Sequence, residues 1–122
     1  MIYPDDARQM LHALLADNLT VPVDPTPYPT GNGYPRVVVG VETREYEPGA
    51  VDPATVTYTV TVIGSENTAT GFARMETLTE QVLGLLHNDP NTFVTTTLTV
   101  TVPAAEDGQT LPGTEITTEV IP

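Results

Sequence analysis

Two alternating stretches flank one amphipathic segment in this chain. From Ala54 to Ile63, Val56, Tyr58, Val60 and Val62 share one parity, and Thr55, Thr57, Thr59 and Thr61 the other. Thr92 to Val102 repeats the theme, with threonine at most positions between valines and a leucine. Side chains on a strand alternate between faces, so this pattern predicts half-buried strands, each with one dry side. Between them, Thr68 to His87 carries Phe72, Met75, Leu78, Val82, Leu85 and Leu86 at helical spacing. A helix of that length spans roughly 30 Å at about 1.5 Å per residue, close to the span of a ten-residue strand at about 3.3 Å per residue. The helix therefore fits along the dry face of the sheet. The expected core sets Phe72, Met75, Val82 and Leu86 against Val56, Tyr58, Val60, Leu98 and Val100.

The remaining pieces follow from the same reading. Pro4 to Leu19 is predicted as a first helix, with proline in its first turn, Asp5 and Asp6 at the positive end of the dipole, and a stripe of Ala7, Met10, Leu11, Leu14 and Leu15. Val21 to Pro35 is crowded with prolines and reads as an extended arm without a strand, either a plain connector or a reach toward a neighbouring molecule. Arg36 to Tyr46 is the first strand, with Val37, Val39 and Val41 on one side. A short turn from Glu47 to Pro53 implies antiparallel pairing with the next strand. Asn88-Asp-Pro90 ends the long helix, since proline cannot continue it. Pro103 to Gly113 turns the chain into a last strand, Thr114 to Ile121, where Ile116 and Val120 alternate with Glu115, Thr117 and Glu119. The expected fold is one α+β domain over residues 1–122: a four-stranded, mainly antiparallel sheet with two helices on one face, in the order α-β-β-α-β-β.

Charge narrows the partners. Sixteen acids against four arginines leave a net charge of −12, with no lysine, cysteine or tryptophan. Neutralising phosphates needs clustered bases, so neither nucleic acid nor an anionic membrane is an expected partner. Without cysteine there are no disulfides or thiolate metal sites. Met1-Ile-Tyr-Pro-Asp-Asp lacks the basic and apolar regions of a signal peptide, and no apolar run reaches the roughly 20 residues that span a bilayer. A soluble protein that stays where it is made is expected.

Candidate chemistry is sparse. The single serine, Ser65 in Gly64-Ser65-Glu66-Asn67, lacks the glycine frame of a nucleophile elbow and reads as a turn or cap residue. His12 and His87 sit one in each helix with no metal-ligand partner at close spacing, and His87 suits a helix C-terminus. Glu76 and Glu80 lie four apart on the exposed helix face. Glu106-Asp107-Gly108 lacks the alternating oxygen ligands of a calcium loop, and Gly31-Asn-Gly33 opens no helix that would bind phosphate. Asp24-Pro25, Asp52-Pro53 and Asp89-Pro90 read as turn starters. No catalytic, cofactor or metal site emerges, and no enzyme activity is expected. Arg36 and Arg44, at the two ends of the first strand, are the candidates for ion pairs with acids of a neighbouring subunit.

In its order of pieces, the chain resembles the tail terminator proteins of long-tailed bacteriophages. The likeness rests on Tyr34-Pro-Arg-Val-Val-Val39, Tyr58-Thr-Val-Thr-Val62, Met75-Glu-Thr-Leu78, Val82-Leu-Gly-Leu-Leu86 and Leu111-Pro-Gly-Thr-Glu-Ile-Thr117. This resemblance implies a homohexameric ring at the head-proximal end of the virion tail, assembled in the host cytoplasm. Such a ring caps the tail tube, stops its polymerisation and offers a joining surface to the head-tail connector. Its partners would be itself, the major tail tube protein and the connector protein, without a cofactor. No functional residue carries over, because the likeness has no fixed residue motif. Another head-tail connector or tail-tube component shares much of the architecture. From a different class stands a small acidic binding module, calcium-dependent or not. A Thr-rich sheet without lysine gatekeepers is poorly protected against edge pairing, which is consistent with a covered position in an assembly.

Overall fold

The computed structural model describes residues 4–28, 33–103 and 110–121. Its elements are α1 (Pro4–Ala16), β1 (Val23–Asp24), β2 (Arg36–Glu45), β3 (Thr55–Ile63), α2 (Ala69–Asn88), β4 (Thr92–Pro103) and β5 (Thr110–Val120). They form a five-stranded mixed sheet in the order β1-β2-β3-β5-β4, with two helices. This corrects the four-stranded α-β-β-α-β-β arrangement expected from the sequence. The strand that was missed is β1, which runs parallel to β2 with Val23 opposite Val37 and Asp24 opposite Val38. Pro22 and Pro25 bracket it, so only two residues keep the amide donors a ladder needs. Pro22 still takes part as an acceptor, receiving the Val37 amide at 3.0 Å.

Local chemistry sets the element ends. Thr68 caps α2, its hydroxyl accepting the Gly71 amide at 3.0 Å. Asp89, before Pro90, turns to extended backbone and stops the helix. The turn between β2 and β3 has Pro48 followed by Gly49 at φ 80, a left-handed position that glycine adopts without strain. Glu47 accepts the Ala50 amide there at 3.0 Å.

One core joins both helices to one sheet face. Ala7, Leu11 and Leu15 of α1 and Met75, Leu78, Val82 and Leu86 of α2 pack with Val37, Val39, Val56, Tyr58, Val60, Val62, Ile116 and Val120. Thr114 and Thr118 also face inward, by their register with Val62 and Tyr58.

Three side chains expected in this core lie elsewhere. Phe72 is 37% exposed, because the buried stripe of α2 runs through Gly71, Met75, Leu78, Val82 and Leu86, one position out of phase with it. The first turn packs too closely for a larger residue: a Cβ on Gly71 would lie 2.2 Å from the Glu66 carbonyl oxygen. Leu98 and Val100 were expected to face the helix, but a bulge between Val94 and Thr96 shifts the register of β4 and sends them to the opposite face. A second bulge, between Val39 and Glu42, does the same to Val41, which parts from Val37 and Val39.

Candidate interaction surface

The sheet face away from the helices is the least covered apolar surface among the described residues. Register places Val38 and Val41 of β2, Thr59, Thr61 and Ile63 of β3, Glu115 and Thr117 of β5, and Phe93, Leu98, Val100 and Val102 of β4 on this side. Val38, Ile63 and Leu111 are buried, packed with Tyr34 and Val102 in a small second core. Beyond them Val41 is 63% exposed, Leu98 60% and Phe93 48%. A shallow trough of about 330 Å³ runs across the middle, lined by Val38, Val41, Ile63, Val100, Val102 and Glu115, with Pro27 at its margin. Of the three exposed side chains only Val41 lines the trough; Leu98 and Phe93 stand on β4, opposite Glu115 and Glu119 of β5.

The two arginines expected to reach a neighbouring subunit lie differently. Arg36 is buried and grips Asp24 of its own chain, donating from Nε at 2.8 Å and from a terminal nitrogen at 2.9 Å. A third bond at 2.8 Å goes to the Gly33 carbonyl. The bond to Asp24 holds the guanidinium firmly protonated against the opposing effect of burial. Arg36 thus fastens β1 to β2. Arg44 is exposed and donates to Glu42 at 2.6 Å.

Glu42 gathers a cluster that the sequence did not disclose. Tyr58 donates to it at 2.6 Å, and Arg8 of α1 stands 4.0 Å away. The same arginine lies over the Tyr58 ring at 5.0 Å and donates to the Val39 and Gly40 carbonyls at 2.7 and 2.9 Å. These bonds satisfy the outer edge of β2 where β1 ends. Burial pushes the Tyr58 phenol up, and the bond to Glu42 adds to the rise, so the hydroxyl stays a donor. For Glu42, burial acts to raise its pKa, but the bonds from Tyr58 and Arg44 outweigh it and leave the carboxyl below its usual value. The only hint in the sequence was Gly40, in the bulge that turns Glu42 toward the helix side.

A carboxylate with a lowered folded pKa stabilises the protein above its ordinary pKa, and that contribution is lost as pH falls through the folded value. Glu42→Gln is therefore expected to cost about 1–2 kcal/mol at pH 7. The gap in melting temperature between wild type and variant should close on acidification below about pH 4.5. A gap that stays constant down to pH 3 would show that the charge of Glu42 contributes nothing.

The other sequence candidates play structural parts. His12 donates from Nε2 to the Val23 carbonyl at 2.9 Å, joining α1 to β1, and His87 is exposed in the last turn of α2. Ser65 lies in the link before the Thr68 cap. Glu76 and Glu80 are exposed beside a cleft between α2 and β4. Gly31, Asn32 and Glu106-Asp107-Gly108 lie outside the described residues. Among the described residues, no three histidine or acidic side chains gather as a metal site would require, and no helix is long and apolar enough to cross a membrane. No protein-family model matches the chain, and no curated protein matches it in sequence.

Proposed function

We propose that this chain is a structural assembly protein of the tail-terminator kind, forming a homohexameric ring that caps a phage tail tube and meets the head connector. The observation that carries the self-assembly is the sheet face bearing Val41, Phe93 and Leu98, uncovered among the described residues. The resemblance of the five sequence stretches from Tyr34 to Thr117 supplies the identity of the assembly. Apolar burial against a neighbour would drive association, and charge would oppose it: six copies at −12 each carry about −72. With Arg36 bonded to Asp24, Arg44 is the exposed one of the two arginines expected to reach a neighbouring subunit.

Particle imaging and sedimentation of the purified protein test this reading. Closed rings are expected, and association should strengthen from about 0.01 M to 0.1 M salt as the screening length falls from about 30 to 10 Å. Leu98→Glu should leave monomers while changing fold stability by less than about 1 kcal/mol, because the side chain is largely in solvent. Open tubes would assign the chain to the tube instead. A monomer at every salt and protein concentration would count against self-assembly, and rings unaffected by Leu98→Glu would remove this face from the contact.

A further inference from the structure

The free edge of β4 has an unusual pair of flanks. β4 is the last strand of the sheet, and no described element pairs with its outer side. The devices that usually blunt an edge are lysine, proline and bulges. Here the bulge falls at Thr95 and the proline at Pro103, so Thr96 to Val102 is left in unbroken register and without charge. On the helix side this stretch shows Thr97 and Thr99, which with Glu76, Thr79, Glu80 and Thr114 line a cleft of about 150 Å³. On the other side it shows Leu98, Val100 and Val102. One side of the edge therefore faces Glu76 and Glu80, and the other carries an apolar row with a single acid beside it, Glu115 of β5 opposite Leu98. Neither Glu76 nor Glu80 has a cation within 4.0 Å among the described residues.

We propose that the Thr96–Val102 edge accepts an extended segment of another protein in which basic and apolar residues alternate. Strand addition supplies main-chain hydrogen bonds, and alternate side chains supply specificity. Every second residue of such a segment would turn toward Glu76 and Glu80, about one strand spacing from the cleft. The intervening residues would extend the apolar row of Leu98, Val100 and Val102. A second copy of this chain does not meet the requirement. β4 contains no base, and the exposed base on β2, Arg44, is already bonded to Glu42 with Glu45 close by in sequence. Two copies meeting edge to edge would instead bring four unpaired glutamates together. The inference goes beyond the ring and does not depend on it.

The test uses the full chain and a ten-residue peptide alternating lysine with valine or threonine, followed by calorimetry and amide exchange. Saturable binding is expected, with new protection of amides between Thr96 and Val102. Glu76→Gln combined with Glu80→Gln should weaken it at least tenfold at low salt, with an unchanged melting temperature because both side chains are exposed. A peptide with glutamate in place of lysine, and one methylated on every internal backbone nitrogen, should both fail to bind. Equal affinity for the double variant, the glutamate peptide or the methylated peptide would overturn the proposal. So would self-association of the free chain that protects the same amides. None of these results depends on whether rings form, which sedimentation of the peptide-free chain reads separately.

Discussion

Asp24→Ala is expected to destabilise the fold by about 3–5 kcal/mol, a large part of the roughly 5–15 kcal/mol that holds a domain together. The reason is the Arg36 guanidinium, which is buried and gives two of its donors to Asp24. Removing the carboxylate leaves the buried guanidinium its bond to the Gly33 carbonyl but takes away the negative charge that offsets its desolvation. Replacing both partners, Asp24→Leu with Arg36→Met, should recover most of the loss, since apolar substitutes for a buried pair are often neutral. Urea unfolding measures both, provided the slope of the transition is unchanged. A single-variant cost below 1 kcal/mol, or a double variant no better than the single, would refute this account of the β1–β2 junction.

The second large effect separates two residues of α2 that the sequence pattern treated alike. Leu86 is fully buried in the main core, so Leu86→Ala should cost about 2–5 kcal/mol. Phe72 reads as equally central from its spacing, yet it is 37% exposed, and Phe72→Ala should cost less than about 1.5 kcal/mol. Melting curves of the two variants side by side decide the matter. Equal losses would mean that the first turn of α2 packs more deeply than its geometry indicates.

Phe72 also marks the limit of what a hydrophobic pattern specifies. Helical spacing gave the length and position of α2 closely, because a 3.6-residue period over five turns leaves little freedom. It also gave the phase over most of the helix, where Met75, Leu78, Val82 and Leu86 are buried, and missed only the first turn, where Gly71 and not Phe72 continues the buried line. The alternation in β3 held throughout because that strand is regular and central. In β2 and β4 a single extra residue at Gly40–Val41 and at Thr95 reversed the parity, and a threonine run offers no hydrophobic clue to where this happens. Those two bulges assign Val41, Leu98 and Val100 to the open face, so the candidate surface could not be read from the sequence. Arg36 was legible as important but not as buried, because its partner lies on a two-residue strand hidden between prolines.

Arg8 has a consequence for how far this sheet can be extended. Its bonds to Val39 and Gly40, together with β1 alongside Val37 and Val38, occupy the outer margin of β2 up to the bulge. The remaining stretch carries Glu42, Arg44 and Glu45, charges that discourage a flat partner. The margin at that end is then a strand of two residues between prolines, while β4 presents the longer free edge. A polymer of strands needs two receptive margins on every unit, so a strand added at β4 cannot propagate from one molecule to the next. That limit offers one way for a long, threonine-rich strand to stay open to a partner without seeding a fibre.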